Sequence, residues 1–383
     1  MAKNENNFVD INSSSQVNKV FKKKYKKGRG VRIATLLLSI LMFIVGSLSI
    51  VWYYSPQIAA GYLGGLYNYD EIDKIKYSTS DQTGENKIVA QESLLEDENV
   101  LNILLFGQDA VASGSGDHGR SDTLILMSID NNNKKLKLTS FQRDTYVAIP
   151  GYGDGKLNSA FSLGGVPLSI AMIEANFGIA VDKYACVNFD SFRKIVNVIG
   201  GVDIELTVDE IQYINAQIDV NNQLKYTSFL EYDPSLEKQM VHLDGYQALW
   251  YARNRGCESL GGNPEYTFSG DDWDRTARQR NLLETIMKNL KEDASITELV
   301  EIVNAVGPLV TTNLKNDDVA FLVSNAFTYL SYDMVELSLP TQGSWRYGRT
   351  DDGQSVIVVT DWDKARYDLA SFIYEGKVTS KNQ

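Results

Sequence analysis

The chain has 383 residues, of which 43% are hydrophobic, so it is long enough to bury one or two cores. Its net charge is −12, but residues 1–54 hold 9 Lys/Arg against 2 Asp/Glu, whereas residues 55–383 hold 28 against 47. Residues 55–383 are therefore strongly acidic, which argues against sequence-independent binding of nucleic acid.

An uncharged apolar run from Ile33 to Tyr54 is long enough to cross a bilayer as a helix. Eight Lys/Arg lie within residues 19–32 just before it, so the positive-inside rule places the N-terminus in the cytoplasm and the rest outside the cell membrane. A cleaved signal peptide is the alternative, but its hydrophobic region would be shorter. We therefore expect a basic cytoplasmic tail (1–32), a transmembrane helix (33–54), an extracellular stalk (55–99) and an extracellular domain (100–383).

Three segments of strand composition open this domain, at Leu101–Phe106, Thr123–Ile129 and Leu136–Phe141. The Asn131-Asn132-Asn133 turn between the last two favours an antiparallel hairpin. Further on, helical and strand patterns alternate, which indicates an α/β domain with a single mixed sheet between helices. Helices are predicted at 166–177, 191–198 with Asp190 as N-cap, 208–220, 245–253, 274–291, 296–305, 317–330 and 362–373, and strands at 184–189, 202–206, 334–339 and 355–359.

Charged residues lie at the ends of the opening strands. If the first two strands pair antiparallel, Asp109 and Asp122 lie at one edge of the sheet, and the third strand brings Arg143 and Asp144 to that edge. Isolated aspartates are commonly turn residues. Carboxylates beside an arginine, however, suggest Mg²⁺ or Mn²⁺ bridging a phosphate, because these cations prefer oxygen ligands.

The helix predicted at 274–291 has one apolar stripe, formed by Leu282, Leu283, Ile286, Met287 and Leu290. Extending the stripe backwards reaches Arg275, Arg278 and Gln279. Guanidinium groups on a core-facing first turn are unfavourable without counter-charge, and they also lie at the positive end of the helix dipole. Either the local acids Asp271, Asp272 and Asp274 neutralise them, or the two arginines bind an anionic ligand such as phosphate.

Arg253 and Arg255 close the preceding helix, where arginines often only complement the helix dipole. Arginine is the side chain best suited to binding phosphate. Six arginines lie at the boundaries of predicted elements: Arg120, Arg143, Arg253, Arg255, Arg275 and Arg278.

Other chemistries find little support in the sequence. There is no GxSxG motif, no Walker-type loop and no catalytic Cys/His pairing, and His118 and His242 lack zinc-site spacing. Cys186 and Cys257 are the only cysteines, and no spacing rule decides whether they are bridged.

The ordered motifs resemble those of the LytR-CpsA-Psr family of cell-envelope proteins. They are Gly107-Gln108-Asp109, Gly119-Arg120-Ser121-Asp122-Thr123, Gln142-Arg143-Asp144-Thr145, Lys156-Leu157-Asn158, Leu243-Asp244-Gly245-Tyr246-Gln247, Tyr251-Ala252-Arg253-Asn254-Arg255 and Asp272-Trp273-Asp274-Arg275-Thr276-Ala277-Arg278-Gln279.

This resemblance implies an extracytoplasmic, Mg²⁺-dependent phosphotransferase, with Mn²⁺ as the alternative metal. Such proteins move a glycopolymer, for example teichoic acid or capsule, from an undecaprenyl-pyrophosphate carrier to the C6 hydroxyl of N-acetylmuramic acid in peptidoglycan. The implied fold is a mixed sheet between helices around a hydrophobic pocket for the lipid tail.

The resemblance also implies roles for single residues. The metal ligands would be Asp109 and Asp122, and the pyrophosphate-binding set would be Arg120, Arg143, Arg253, Arg255, Arg275, Arg278 and Gln279. Arg143 and Arg275 would also stabilise the charge of the leaving group, and a carboxylate, Asp144 or Asp272, would take the proton from the attacking hydroxyl.

Two other functions are compatible with the same residues. One is a lipid-pyrophosphate hydrolase, in which water is the acceptor, and the other is a non-catalytic membrane regulator that only binds lipid carriers. The sequence identifies neither the polymer nor the oligomeric state.

Overall fold

The computed structural model describes residues 94–108, 119, 121–256, 270–293, 305–375 and 379–380. Its strands are β1 (Leu95–Glu96), β2 (Val100–Gln108), β3 (Ser121–Asp130), β4 (Lys135–Phe141), β5 (Thr145–Ile149), β6 (Gly153–Lys156), β7 (Lys183–Asn188), β8 (Val202–Thr207), β9 (Lys238–Leu243), β10 (Thr311–Thr312), β11 (Asp333–Leu339), β12 (Trp345–Arg349), β13 (Ser355–Val359) and β14 (Thr379–Ser380). Its helices are α1 (Ser159–Phe177), α2 (Phe189–Val198), α3 (Val208–Val220), α4 (Gly245–Arg253), α5 (Asp272–Asp293), α6 (Asn316–Ser324), α7 (Ala326–Leu330) and α8 (Trp362–Tyr374).

The main sheet has six strands in the order β10-β7-β2-β3-β4-β11. The predicted arrangement of the opening strands is confirmed, because β2 pairs antiparallel with β3, and β3 antiparallel with β4. Parallel pairs follow on both sides, β2 with β7 and β4 with β11. The register brings Gln108, the last residue of β2, opposite Ser121, next to Asp122.

Helices cover both faces of this sheet, as predicted. Side chains alternate along the strands, so Ile103, Ile125 and Met127 face a core that includes α2, α3, α4 and α5. Leu104 and Leu126 face the opposite core, which includes α1 and α8. Because both faces are buried, the central strands are nearly continuous apolar runs.

The prediction of a single sheet is wrong. A second, four-stranded sheet has the order β12-β13-β5-β6, and β8 with β9 and β1 with β14 form two-stranded sheets. The chain leaves the main sheet in the turn after β4, where Thr145 Oγ1 donates to the backbone oxygen of Gln142 (2.7 Å). Strand β6 falls in a glycine-rich segment with low strand propensity, so the sequence pattern did not reveal it.

Most predicted helices are present, with different ends. The predicted cap of α2 is wrong: Asn188, not Asp190, is the N-cap and accepts from the backbone N–H of Ser191 (2.8 Å). Asp190 instead pairs with Arg193 and Lys194. The helix predicted at 317–330 is two helices, α6 and α7, and most of the helix predicted at 296–305 lies outside the described residues.

One described helix, α1, is long and apolar enough to cross a membrane, but most of it is buried in the core. The predicted tail, transmembrane helix and nearly all of the predicted stalk lie outside the described residues. The strand β1 and its partner β14 bring residues 95–96 and 379–380 of the chain together.

A buried ionic cluster joins α8 to the main sheet. Lys137 Nζ on β4 lies 2.6 Å from Asp130 Oδ2 on β3 and 2.9 Å from Glu375 Oε1, which follows α8. It also donates to the backbone oxygen of Ile373 (2.8 Å). The side chains of Lys137 and Asp130 are both 0% exposed, so each depends on the other for charge compensation.

Replacing Lys137 with Met should therefore lower the free energy of unfolding by about 3 to 5 kcal/mol, because Asp130 would remain buried without its cation. The matched control is Lys135→Met, which removes a neighbouring lysine that pairs with Glu375 near the surface (2.8 Å) and should cost at most about 1 kcal/mol. Urea unfolding followed by circular dichroism measures both. Equal losses in the two variants would contradict this role of Lys137.

Candidate active site

The turn between β4 and β5 places Arg143 at one edge of the main sheet. Its Nη1 atom lies 2.5 Å from Asp122 Oδ1 on β3, and its Nε atom lies 3.6 Å from Asp144 Oδ2 and 3.5 Å from Asp272 Oδ2. The predicted return of this turn to the edge that carries Asp122 is thus confirmed. One guanidinium links three carboxylates from three separate parts of the chain.

The first turn of α5 faces this edge. Asp271 caps the helix by accepting from the backbone N–H groups of Trp273 (2.8 Å) and Asp274 (3.0 Å). Arg275 Nη2 then lies 2.9 Å from Asp272 Oδ2, and its Nη1 lies 3.9 Å from Asp122 Oδ1. The side chain of Arg275 is only 2% exposed, so the expected core-facing position of this arginine is confirmed.

A hydrogen-bond chain holds this helix against the sheet. Gln142 Nε2 donates to Thr276 Oγ1 (3.0 Å), and Thr276 Oγ1 donates to the backbone oxygen of Trp273 (2.9 Å). All three residues are buried or half-buried. The position of Asp272 and Arg275 relative to Arg143 is therefore set by direct contacts between the two elements.

The end of α4 supplies two more arginines. The guanidinium of Arg253 lies over the rings of Phe189 (4.3 Å) and Trp250 (5.3 Å), and Arg255 Nη1 lies 3.7 Å from Asp272 Oδ1. Gln279 of α5 donates to the backbone oxygen of Ala252 (3.1 Å), which joins the two helices.

The other predicted residues are not all in this cluster. Arg278 faces away from it, because its guanidinium pairs with Glu210 (2.9 Å) and donates to the backbone oxygen of Asn254 (3.2 Å). Asp144 belongs to it and pairs with Lys156 (2.8 Å), which lies in one of the matching motifs but is not among the predicted site residues. Asp109 and Arg120 lie outside the described residues, as does Cys257, while Cys186 is buried.

Within the described residues the cluster contains more cations than carboxylates. Five cationic side chains, Arg143, Arg253, Arg255, Arg275 and Lys156, lie with three carboxylates, Asp122, Asp144 and Asp272. Among the described residues, the acids therefore compensate the cationic side chains only in part, and an anionic ligand would complete the neutralisation.

Several buried polar atoms of the cluster make no hydrogen bond to any described residue. They are Gln142 Oε1, Arg143 Nε, Asp272 Oδ1, Arg275 Nε and Gln279 Oε1. Buried polar atoms are normally hydrogen-bonded, and unmade bonds at a cavity are expected where a ligand supplies the missing partner.

Two adjoining cavities meet at this cluster. A polar cavity of about 90 Å³ is lined by Asp122, Arg253, Arg255, Arg275 and Gln279, among others. An apolar cavity of about 150 Å³ lies between the main sheet and helices α2, α4 and α5. Thr123, Phe189, Arg253 and Gln279 line both, so the charged cavity directly adjoins the apolar one.

The two central carboxylates have opposite pKa shifts. Burial alone would raise the pKa of Asp122, but Arg143, Arg275 and Arg255 hold it below its usual value. Burial raises the pKa of Asp272 although the same arginines oppose it, and Asp144 adds to the rise. Burial also lowers the pKa of Arg275 to about 10, so this arginine remains charged at neutral pH. Opposite pKa shifts such as those of Asp122 and Asp272 are typical of two carboxylates with different roles, one a permanent anion and the other a proton acceptor.

Arg275→Lys should weaken the binding of inorganic pyrophosphate about tenfold, because a point charge replaces a planar group with several donors. Calorimetric titration at neutral pH measures this. The matched control is Arg280→Lys, five residues along α5, where the arginine pairs with Glu336 (2.6 Å) and Ser140 (2.8 Å) and lines neither cavity. Pyrophosphate affinity that falls equally in both variants would exclude a specific role for Arg275.

Known proteins resemble this chain in sequence and in fold. A polyisoprenyl-teichoic acid–peptidoglycan teichoic acid transferase, TagU, from Oceanobacillus iheyensis is 28% identical over 353 residues, 90% of this chain and 94% of the relative. TagU of Enterococcus faecalis is 31% identical over 262 residues, 67% of this chain and 77% of the relative. The solved structure of TagT bound to LIIa-WTA has a TM-score of 0.55, at 24% identity, over 75% of this chain and 96% of that one.

The solved structure supports the fold alone, whereas the sequence relatives and a family model identify the family. The model described as the LytR_cpsA_psr family matches residues 63–365, which is more than half of the chain. The chain therefore belongs to the LytR-CpsA-Psr family.

Proposed function

We propose that this protein transfers a glycopolymer from an undecaprenyl-pyrophosphate carrier to the C6 hydroxyl of N-acetylmuramic acid in peptidoglycan. One observation carries the proposal: a cavity lined by arginines adjoins an apolar cavity, and four residues line both. A polyprenyl pyrophosphate has this combination of a double anion and a hydrocarbon chain. Two relatives that are named teichoic acid transferases support teichoic acid as the class of polymer.

The two parts of the donor would bind in different cavities of this site. The hydrocarbon nearest the pyrophosphate would lie in the apolar cavity, where burial of apolar surface stabilises it. Arg143, Arg253, Arg255 and Arg275 would bind the phosphate oxygens, and Gln279 would contribute its side-chain amide. Arg278 is a weaker candidate because Glu210 already neutralises it.

Phosphoryl transfer requires an attacking oxygen and a leaving oxygen on opposite sides of phosphorus. The acceptor hydroxyl would form a bond to the phosphorus that carries the glycopolymer, and the bond from that phosphorus to the bridging oxygen would break. Polyprenyl phosphate would leave with the electron pair of that bond, and Arg143 and Arg275 would stabilise its developing charge.

Asp272 is the better candidate for the base that accepts the hydroxyl proton. Its pKa is raised, and its Oδ1 atom makes no hydrogen bond to a described residue. Asp144, the alternative candidate, already forms an ion pair with Lys156 at 2.8 Å, which engages its carboxylate.

A divalent cation, Mg²⁺ or alternatively Mn²⁺, fits the donor set at this edge. Asp122 lines the polar cavity, and the neighbouring arginines keep its carboxylate ionised, as a hard cation requires. Asp109 would be the second ligand, although the described residues alone contain no cluster of three metal-ligating side chains. When bound, the cation would neutralise pyrophosphate charge.

We further propose that the protein is anchored in the cell membrane by residues 33–54, with its domain outside. This places the catalytic site on the side of the membrane where peptidoglycan lies. The full chain in detergent micelles is therefore the form to assay.

Asp272→Asn should lower transfer at least about 100-fold while donor affinity stays within a few-fold, because the amide keeps the shape but cannot accept the proton. In the unmodified protein, transfer should fall as pH drops through the pKa of Asp272, and the variant should lose this dependence. The assay follows a lipid-pyrophosphate donor with and without a peptidoglycan acceptor. Asp274→Asn, an exposed carboxylate in the same turn, is the control.

Undiminished transfer by Asp272→Asn, with loss in Asp144→Asn, would move the base to Asp144. Product formation that does not depend on the acceptor would favour the lipid-pyrophosphate hydrolase. A cellular role that survives Asp272→Asn unchanged would favour the non-catalytic regulator.

Replacing Asp109 and Asp122 together with Asn should remove the dependence of transfer on divalent cations and reduce its rate to the level seen with a chelator. Binding of Mn²⁺ in the presence of inorganic pyrophosphate, followed by electron paramagnetic resonance, should be lost in parallel. Asp154→Asn, an exposed aspartate on β6, is the control. Mn²⁺ binding that persists in the double variant would exclude these ligands.

A further inference from the structure

We infer that an aromatic surface beside Asp272, formed by Trp273, Trp345 and Tyr347, binds sugar rings of the acceptor glycan and positions its hydroxyl. We call this surface the aromatic platform. The inference rests on the proposed function for the direction of the reaction, but the platform is defined by contacts of its own.

The platform joins the first turn of α5 to the edge strand of the second sheet. The indole rings of Trp273 and Trp345 are stacked, with centroids 5.1 Å apart and an interplanar angle of 26°. Tyr347 meets Trp345 edge-to-face at 4.9 Å. Trp345 and Tyr347 are two residues apart on β12, so they lie on the same face of the strand.

The platform is continuous with the catalytic cluster. Trp273 directly follows Asp272, and its backbone oxygen accepts from Thr276, which is bonded to Gln142. Strand pairing makes a second connection, because Tyr347 lies opposite Ile357, and Ile357 opposite Thr145. The backbone N–H of Ile357 donates to the backbone oxygen of Asp144 (2.9 Å). With neighbouring strands about 4.8 Å apart, Tyr347 is roughly 10 Å from the strand that follows Asp144.

The direction of the reaction decides which substrate meets this surface. The apolar cavity, which would hold the leaving group, lies between the main sheet and helices α2, α4 and α5, but its lining includes neither Asp272 nor Arg143 nor Asp144. In-line transfer brings the acceptor from the side away from the leaving group. We assign Asp272 and the second sheet to that side because neither lines the apolar cavity, and the platform is an aromatic surface formed by these two parts.

The chemistry of the platform fits a glycan better than it fits the anionic part of the donor. Tyr347 is 62% exposed, and the two tryptophans are half-buried. Aromatic faces present a flat apolar surface with a polar edge, which suits the C–H face and the hydroxyls of a pyranose ring. β12 is at the edge of its sheet among the described strands, so a ligand can approach it without displacing any of them.

The test uses the full chain in detergent micelles and a peptide-free tetrasaccharide of alternating N-acetylglucosamine and N-acetylmuramic acid. Trp345→Ala and Tyr347→Ala should each raise the KM for this acceptor about tenfold or more, while the Kd of the lipid-pyrophosphate donor changes less than about twofold. Trp345→Phe should restore most of the loss, because it keeps an aromatic face. Tyr367→Ala is the matched control, an aromatic that is 72% exposed on α8.

Direct binding gives a readout that is independent of transfer. The tetrasaccharide should change the tryptophan fluorescence of the unmodified protein, and Trp345→Ala should abolish this change. If the unmodified protein binds the tetrasaccharide in this way but transfers nothing, the proposed function fails and the platform stands. An unchanged acceptor KM in both alanine variants, or an equal loss of donor affinity, would overturn the inference.

Discussion

Arg275 carries a charge at the first turn of α5, in a place where its side chain is 2% exposed. A guanidinium so deeply buried is stable only with carboxylates around it, and Asp272 and Asp122 supply them from the same helix and from β3. Arg143 completes the arrangement by contacting both of these carboxylates from the turn after β4. The relative positions of the main sheet, α4 and α5 depend on this network, because it is where they meet.

The same network explains why a charged cavity can adjoin an apolar one. Helices α2, α4 and α5 pack on one face of the main sheet through aliphatic side chains, and they leave a cavity between them. At the edge of the sheet the apolar lining ends, and Arg253 and Gln279 line both cavities. A ligand with an anionic head and a hydrocarbon tail can therefore bury its head and the adjoining part of its tail without leaving its charge uncompensated.

The second sheet gives the site its other side. By leaving the main sheet at Gln142, the chain carries Asp144 into contact with Lys156 and brings β12 and β13 alongside. The stacked Trp273 and Trp345 close the gap between α5 and this sheet. The site thus has a hydrophobic side toward the helices and an aromatic side toward the second sheet, with the carboxylates and arginines between them.

Several features of this protein follow from the sequence by itself. Runs of apolar residues and the Asn131-Asn132-Asn133 turn determined the β2-β3-β4 arrangement, because local turn chemistry and burial on both faces act over short stretches. The apolar stripe of α5 correctly predicted that Arg275 and Gln279 face the core, since helical periodicity extends through the first turn, but its prediction of the same position for Arg278 is wrong.

Only the tertiary structure decided the rest, because it depends on contacts between residues that are far apart in the chain. Arg278 shares a motif with Arg275, yet it lies outside the cluster because it forms an ion pair with Glu210 on α3. The different pKa shifts of Asp122 and Asp272 arise from burial and from which arginines lie nearest, and neither is encoded in local pattern. The hairpins of the second sheet join through the parallel pairing of β13 with β5, and Trp273 meets Trp345 through a contact between different elements; no local signal specifies either contact.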